Sequence, residues 1–347
     1  MVVTFETKNV GSFRVVYNPD PNPLSVKPGA LPNRVNKDIV LPIEGLDLSN
    51  IGYDHITAPP GSPFDSLIEY LTQTMKDKGS SLRDTVGADF VTSRAILREL
   101  SVLPFNGPGT KMDIWAQRDK GFIFLWERES KPDEPPLQAD DAKKMFAVKY
   151  KFKFYMTLDE NGHARDTTKE EANNRVSFKG VFRATVKNDA RKHEEAIKVF
   201  YTSPVDSIDE DEKFINIKTK KDNKVEESCH IPDWNWWLNY SQKDYVDAVL
   251  INSPYTIYGN KKFNLSGIVY EIEEKSTEDI PRDIPEDGRQ WTREGCLKSL
   301  FKVLNEIKSR LADEGDALLV SINGDTVTYT TDAPDSLDFL KLLPFDH

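Results

Sequence analysis

Cysteine is scarce in this sequence, with only Cys229 and Cys296 among 347 residues. Two cysteines exclude the disulfide framework that stabilises many small secreted proteins, so we expect a reducing, intracellular compartment, nuclear or cytoplasmic. Long apolar runs are missing too, since no stretch approaches the ~18 residues that a membrane-spanning helix needs. The first residues, MVVTFETKNVGSF, lack the apolar core of a signal peptide. We therefore predict no membrane partner.

The motifs of several common enzyme classes are absent as well. The five histidines are not spaced as metal ligands and the two cysteines are far apart, which argues against a zinc site. The sequence has no glycine-rich phosphate loop and no G-x-S-x-G motif. Cys229 precedes His230, but an ordinary residue pair near a helix start is a simpler interpretation than thiol chemistry.

Positive charge is in the minority, because 46 Lys and Arg stand against 57 Asp and Glu, a formal net charge of -11. The field of the whole molecule therefore repels RNA, DNA and anionic membranes, and RNA binding requires a locally basic pocket. Nothing in the sequence indicates a DNA partner. The 38% apolar content, with 6 Trp, 12 Tyr and 18 Phe, predicts a folded interior.

No internal repeat and no break in composition divides the sequence, so we predict a single domain over residues 1–347. Prolines between residues 18 and 62 exclude regular helix there, and we expect residues 1–62 to be an extended N-terminal arm packed on the core.

Four helices are predicted from capping residues and apolar periodicity. The first covers 63–78, because Ser62 can cap it, Pro63 suits its first turn and Gly79 suits its end. The other three begin near residue 92, cover 233–246 in a tryptophan-rich segment, and cover 293–312.

Strands are predicted for much of the remaining sequence. KMDIWAQRDKGFIFLWERE is typical of a hairpin that turns at residues 119–121, and ALLVSINGDTVTYTT of one that closes on the Asn-Gly pair 323–324. MFAVKYKFKFYMTL alternates and predicts a strand with Lys149, Lys151 and Lys153 on its solvated face. Further strands are predicted at 176–186, 196–206, 214–219, 246–254 and 265–273. This mixture indicates an α+β fold.

One acidic segment, DSIDEDEK, raises the question of a metal site. Asp206 ends the strand predicted at 196–206, whereas the four acids after it are typical of a solvated turn and lack calcium-loop spacing. The nearby WNWWLNY predicts a core cluster more readily than a platform on which bases stack.

The order of several motifs resembles the DXO family of RNA 5′-end decapping and exonuclease enzymes, from VGSF to LLVSINGDTVTYTTDAP. GADFVTSRAILREL is similar to the segment that carries an active-site arginine, and VKYKFKFYM to the segment with G-Φ-x-Φ-E. PVD, NIK and WWLN stand where the family has E-Φ-D, E-Φ-K and the W-W-x-Q helix. The resemblance covers almost the whole length and implies mixed, twisted β-sheets flanked by helices.

The resemblance also implies roles for individual residues. Its arginine, lysine and glutamine positions correspond to Arg94, Lys218 and Asn239. Glu127 and Glu129 match family acids outside the metal-binding set. The four positions where the family has metal-binding acids are Lys153, Pro204, Asp206 and Asn216.

These replacements change the charge of the implied metal site. The family's four acids contribute −4, whereas the residues here contribute +1, 0, −1 and 0, and Asp206 is the single ligand candidate retained. A divalent ion about 4 Å from Lys153 would meet a repulsion of roughly 8 kcal/mol at an effective dielectric of 20. We therefore expect no metal cofactor, and Mg²⁺ or Mn²⁺ only if the protein is an active enzyme.

We expect Lys153 to pair with Asp206, which leaves Arg94 and Lys218 basic. The pocket then either holds a phosphate or RNA 5′ end through Arg94, Lys153, Lys218 and Asn239, or is a filled, salt-bridged core.

Three functions remain in view. The preferred one is a catalytically inactive RNA 5′-end binding, quality-control or scaffold protein with protein partners. The alternatives are an active metal-dependent decapping hydrolase or 5′-3′ exoribonuclease, and a protein-interaction module without RNA affinity.

Overall fold

The computed structural model describes residues 2–17, 24–49, 64–128, 139–166, 176–190, 195–221, 234–261, 267–285 and 291–331. These residues form two β-sheets with helices packed on them, which confirms the predicted α+β fold of mixed, twisted sheets.

The larger sheet has nine described strands. Their bounds are β1 (Val3–Tyr17), β2 (Leu24–Pro28), β4 (Phe90–Ser93), β5 (Lys111–Asp119), β6 (Phe122–Glu127), β7 (Val176–Asn188), β8 (Ile197–Val205), β13 (Ala317–Asn323) and β14 (Thr326–Thr331). Their order is β14-β13-β5-β6-β4-β8-β7-β1-β2, and β4 runs parallel to both β6 and β8.

The smaller sheet has five described strands in the order β3-β12-β11-β10-β9. Their bounds are β3 (Leu46–Asp47), β9 (Ser207–Ile208), β10 (Phe214–Lys221), β11 (Tyr255–Lys261) and β12 (Ile268–Ser276). Asp206 is the one residue between β8 and β9, so the chain passes there from the larger sheet to the smaller one.

Seven α-helices lie in the described part of the chain. They are α1 (Asp65–Lys78), α2 (Leu82–Val86), α3 (Arg94–Val102), α4 (Ala139–Tyr155), α5 (Trp234–Asn239), α6 (Ser241–Leu250) and α7 (Arg293–Arg310). None of them combines the length and the apolar character that crossing a bilayer requires.

Helices cover both faces of the larger sheet. Neighbouring residues of a strand point to opposite faces, so each strand contributes apolar side chains to both. Val181 and Phe200 pack in one apolar cluster with α1, and Phe182 and Tyr201 in another with α3, α6 and α7. A third cluster joins α4 to β10 and β11 through residues such as Phe152, Ile217 and Ile257. These clusters hold α3, α4, α6 and β10 around Asp206.

The predicted strand at 145–158 is wrong, because this segment lies mostly in α4. Val148, Phe152 and Met156 are buried at a spacing of four residues, which fits one face of a helix. The alternation that suggested a strand comes from the short run of lysines and aromatics. Lys149 and Lys153 therefore share a face, whereas Lys151 is buried and donates to Leu48 O at 3.0 Å.

Other predictions need smaller corrections. The predicted strand at 246–254 is wrong, because α6 continues to Leu250, and the tryptophan-rich segment forms two short helices. The hairpin at 317–331 is confirmed, but Asn323 pairs with Thr326 and the loop is residues 324–325. The first helix is confirmed as α1 with Gly79 at its end, while Ser62 and Pro63 lie outside the described residues.

Candidate functional site

The site lies where the two sheets meet, and four separate segments contribute to it. Arg94 is the first residue of α3, directly after β4, and Asp206 lies between β8 and β9. Lys153 belongs to the last turn of α4. Asn216 and Lys218 are two residues apart on β10 and so point to the same face.

Asp206 uses both of its carboxylate oxygens within the protein. Oδ1 accepts from the ammonium of Lys153, and Oδ2 accepts from the backbone N–H of Ile217 at 2.9 Å. Burial alone would raise the pKa of Asp206, but Lys153 and the N–H of Ile217 lower it below its usual value. The carboxylate therefore remains charged and fixed between α4 and β10.

Arg94 makes one hydrogen bond and one ion pair within the site. Its Nη1 donates to Asn216 Oδ1 at 3.3 Å, and its Nε lies 3.3 Å from Asp247 Oδ1. The Nδ2 of Asn216 is buried without a hydrogen-bond partner among the described residues. An amide thus stands where the resemblance implies a metal-binding acid, and it faces a guanidinium.

Two carboxylates of α6, Asp244 and Asp247, were missed by the sequence analysis. Lys218 Nζ donates to Asp244 Oδ1 at 2.5 Å and to Asp247 Oδ2 at 2.8 Å. Trp236 Nε1 and the Tyr258 hydroxyl both donate to Asp244 Oδ2, at 2.8 and 3.1 Å. The only signal in the sequence was two acids three residues apart on the helix after the tryptophan-rich segment.

This arrangement fixes the charge states of the paired groups. Burial alone would raise the pKa of Asp247, but Arg94, Lys218 and Arg98 hold it well below its usual range. Burial would likewise lower the pKa of Lys218, but Asp244 and Asp247 raise it above the usual value. Lys218 is therefore charged, and acids of α6 engage both Arg94 and Lys218.

The ion-pair network continues along α3 through Arg98 and Glu99. Arg98 Nη2 lies 2.8 Å from Glu99 Oε1, and Lys243 Nζ lies 2.9 Å from Glu99 Oε2. Burial and the nearby Glu99 raise the pKa of Glu127, which places this acid close to the network. Glu129 lies outside the described residues.

Lys149 is the cation of this region that has no hydrogen bond or ion pair with the described residues. It lies one helical turn before Lys153 on α4, and its side chain is exposed. Repulsion from Lys153, together with desolvation and repulsion from Lys218 and Arg94, lowers the pKa of Lys149 to about 8. Solvent screens part of this repulsion because the side chain is exposed, but the nearby cations still lower the pKa of Lys149 more than Asp206 raises it.

A cavity of about 320 Å³ opens beside the Lys153–Asp206 pair. Its wall combines three cations, Arg14, Lys153 and Arg165, with two acids, Glu160 and Asp206, and with aromatic side chains of α4. The guanidinium of Arg165 stacks over the Phe154 ring at 4.1 Å. Such a mixture of cations and aromatic surface can accept an anionic group attached to a planar one.

Two further residues that the resemblance implies, Pro204 and Asn239, are not part of the ion-pair network. Pro204 is exposed on β8 and lines the cavity, where it can donate no oxygen ligand from its side chain. Asn239 is exposed at the end of α5, and its backbone oxygen accepts from Gln242. The structure brings together Lys153, Asp206, Asn216, Arg94 and Lys218. Asn239 takes no part in the hydrogen bonds and ion pairs described among those five residues.

The donors at the family's metal positions are an ammonium, a proline, an amide and one carboxylate that is already engaged. In the described part of the chain, no three His, Cys, Asp or Glu side chains converge as a metal-binding group. Divalent magnesium and manganese prefer several oxygen ligands, so this donor set does not fit them.

Several solved Rai1 and Dxo1 structures have this fold. Candida albicans Rai1 in complex with pU5-Mn2+ superposes with a TM-score of 0.71 at 18% identity, covering 97% of this chain and 91% of that one. Scheffersomyces stipitis Rai1 in complex with (3'-NADP)+ and calcium ion superposes with a TM-score of 0.73 at 17% identity, covering 97% of this chain and 92% of that one. K. lactis Dxo1 in complex with manganese superposes with a TM-score of 0.57 at 11% identity, covering 94% of this chain and 90% of that one. These similarities establish the fold.

Sequence comparison identifies the family as well as the fold. The decapping nuclease dom-3 of Caenorhabditis elegans is 27% identical over 266 residues, which is 73% of this chain and 62% of that protein. The match therefore spans less than two thirds of the length of that relative. The sequence model of the family described as RAI1 like PD-(D/E)XK nuclease matches residues 10–343, nearly the whole chain. The resemblance seen in the sequence is confirmed, and the chain belongs to the RAI1-like PD-(D/E)XK nuclease family.

Proposed function

We propose that this protein binds 5′-phosphorylated RNA ends without hydrolysing them. The observation that carries the proposal is the ion pair between Lys153 and Asp206, which puts an ammonium beside the one acid retained at the family's metal positions. Without a metal cluster there is no activated water and no Lewis acid for the phosphate under attack. The proposal therefore includes no metal cofactor and no catalytic residue.

The binding part of the proposal rests on the excess positive charge around Lys149. Arg94 and Lys218 already have acidic partners, whereas Lys149 is exposed and its ammonium is repelled by Lys153. A phosphate placed between Lys149 and Lys153 would relieve this repulsion, because it would bring a compensating negative charge. The adjacent cavity with Arg14 and Arg165 could then receive the rest of the terminal nucleotide.

The proposal also covers properties that follow from the family. We infer that residues 1–347 form one domain. We also infer that the protein is intracellular, in the nucleus or the cytoplasm, and that it acts with protein partners as a quality-control or scaffold factor. The relatives support RNA as the ligand, since C. albicans Rai1 is described with pU5 and the C. elegans relative is named a decapping nuclease.

Binding of a short RNA tests the proposal directly. We expect an RNA with a 5′-phosphate to bind more tightly than the same RNA with a 5′-hydroxyl, and its affinity to fall with salt. Lys149→Glu should weaken binding, whereas Lys76→Glu, at an exposed position of α1, makes the same change in net charge and should not.

The same samples test the alternatives. Incubation with Mn²⁺ and capped, triphosphorylated or monophosphorylated RNA should release no product. Product release that Asp206→Ala abolishes would establish the active hydrolase instead. If neither RNA binds in a salt-dependent way, the protein-interaction module is the better description.

A further inference from the structure

A second cavity, which we call the β1 cavity, lies between the first half of β1, the end of α6 and the start of α7. Its volume is about 1050 Å³. Its apolar wall includes Trp291 with Phe5 and Val249, and the last two are only half-buried. Small-molecule sites have volumes of roughly 300–1,000 Å³, so this cavity has room for a small ligand or a short chain end.

The hydroxyl of Tyr245 faces the β1 cavity without a partner. Tyr245 lines the cavity and is only 4% exposed, and its ring packs against that of Trp291 with 5.2 Å between the centres. The hydroxyl makes no hydrogen bond with the described residues, although buried polar groups usually have one. Burial raises the pKa of Tyr245 to about 12, against the opposing effect of Arg293. The hydroxyl is therefore protonated at neutral pH and can donate to a ligand.

The α7 helix begins at the same cavity with two backbone N–H groups that have no acceptor within the helix. Thr292 accepts from the N–H of Gly295 through its side chain, at 3.0 Å, and from the N–H of Cys296 through its carbonyl. The N–H groups of Arg293 and Glu294 precede these two, so the helix itself supplies them with no acceptor. A helix start carries about half a positive charge and favours an anion.

The side-chain charges of the cavity balance. The charged residues that line it are Lys213, Arg282, Arg293, Glu6, Glu278 and Glu294. Glu278 is paired with Arg282 at 3.6 Å, and Glu6 points to the opposite face of β1 from Phe5 and Thr7. The partial charge of the helix start therefore meets a neutral wall, which suits a ligand with one negative charge better than a phosphate with two.

The first half of β1 has a free edge in the described part of the sheet. On that side β2 pairs with β1 only from Phe13 onwards, whereas β7 lies on the other side. The carbonyl of Val2 accepts from the N–H of Asp189, so the even-numbered residues bond to β7. Phe5 and Thr7 therefore direct their backbone N–H and C=O groups to the free side, where they are a template for a further strand.

We propose that the β1 cavity binds the C-terminal end of an extended peptide from a partner protein. The peptide adds a strand to the free edge of β1 and presents its terminal carboxylate to Tyr245, Arg293 and the start of α7. The strand edge requires a peptide backbone and the donors require a single negative charge, and a chain end supplies both. An apolar last side chain would pack on the apolar wall. This inference is independent of RNA binding.

Peptides that differ only at their last group test the proposal on the full chain. The probes are acetyl-Val-Thr-Val-X with X as Val, Leu or Phe, each with a free carboxylate or a C-terminal amide. Calorimetry should show that at least one acid binds about tenfold more tightly than its amide, since hydrogen bonds to a charged group are the stronger ones.

Two variants locate the carboxylate. Tyr245→Phe keeps the ring against Trp291 and removes a hydroxyl that has no partner among the described residues, and Arg293→Gln removes an exposed charge. We expect each to weaken binding of the acid about fivefold, and that of the amide less. Tyr240→Phe and Arg83→Gln, the same changes at exposed positions elsewhere, should have no effect.

Amide hydrogen exchange tests the added strand. The bound acid should protect the amides of Phe5 and Thr7, while those of Thr4 and Glu6, already bonded to β7, should change little. Failure of every acid to bind at millimolar concentration would overturn the proposal, and so would equal binding of acids and amides. Unchanged exchange at Phe5 and Thr7 with an acid bound would overturn it as well. An acid that binds Tyr245→Phe and Arg293→Gln as tightly as the wild type would place the carboxylate elsewhere and contradict it.

Discussion

The ammonium of Lys153 and the carboxylate of Asp206 form an ion pair that joins α4 to the junction of the two sheets. The side chains are only 21% and 11% exposed, so removal of one partner leaves a largely buried charge. We expect Lys153→Met to lower the free energy of unfolding by about 3 kcal/mol, near the lower end for a broken buried pair because some solvent reaches the lysine.

Urea denaturation measures this loss, and a double variant provides the control. Lys153→Met combined with Asp206→Asn removes both charges, and we expect it to recover much of the lost stability. If the double variant is less stable than Lys153→Met, the destabilisation has another cause than an unpaired carboxylate.

Because of Asp247, we expect the free energy of unfolding to depend on pH in the acidic range. Its pKa is lower in the folded protein than in the unfolded chain, because Arg94, Lys218 and Arg98 outweigh the effect of burial. The ion pairs of Asp247 contribute their full stabilisation at pH values above ~3.9, the usual pKa of Asp in an unfolded chain. This stabilisation is lost as the pH falls through the pKa that Asp247 has in the folded protein. We expect the free energy of unfolding to fall below about pH 4, and to fall less steeply in Asp247→Asn.

Urea denaturation at a series of pH values checks the slope. Asp77→Asn, at an exposed position of α1, serves as the matched control and should keep the slope of the wild type. Equal slopes in the wild type and Asp247→Asn would contradict this account of the network.

Gly259 of β11 sets how closely α4 approaches the smaller sheet. A Cβ at this position would lie 2.7 Å from the Phe152 ring, closer than such atoms approach one another, and Phe152 is fully buried. We expect Gly259→Ala to cost about 1–3 kcal/mol of unfolding free energy by overpacking. Thermal or urea unfolding measures the change. Phe152→Leu should relieve part of it in the double variant, and an additive double variant would argue against direct contact.

Local patterns predicted much of the fold. The hairpin at 111–127 was predicted from two strand-like runs that flank residues 119–121, and in the structure Lys120 and Gly121 of that turn have positive φ. The α1 helix could be predicted from its apolar stripe and from Gly79 at its end. These signals lie within a few residues of one another.

Contacts between distant residues could not be predicted in the same way. Over seven residues, the apolar side chains of α4 fit the two-residue repeat of a strand as well as the repeat of a helix. In the structure this segment is helical, and Phe152 packs against β11. The partners of Lys218 are 26 and 29 residues away, on α6. Motif spacing gave the positions at the site, but it could not show that acids from α6 engage the cations there.

Lys149 gives the proposed phosphate site a measurable signature. Its pKa is lowered to about 8 by Lys153 and the other nearby cations. A bound phosphate stabilises the charged ammonium, so we expect RNA with a 5′-phosphate to raise the pKa of Lys149 towards the usual ~10.4. NMR titration of the lysine side chains measures this shift, with Lys149→Arg to assign the resonance. The 5′-hydroxyl RNA should leave the pKa lower, and an equal rise with both RNAs would place the phosphate elsewhere.

Restoring the family's acids should restore a metal site if the positions are correctly matched. Lys153→Glu, Pro204→Glu and Asn216→Glu together change the formal charge of the four positions from 0 to −4, with Asp206 retained. Oxygen ligands and negative charge then replace the ammonium, so we expect Mn²⁺ to raise the melting temperature of this variant but not of the wild type. At 100 times its Kd, the ion would add roughly 2.7 kcal/mol to the free energy of unfolding. Adding Asp206→Asn to the triple variant should weaken the response, and a folded triple variant without any response to Mn²⁺ would show that these four positions do not converge on one ion.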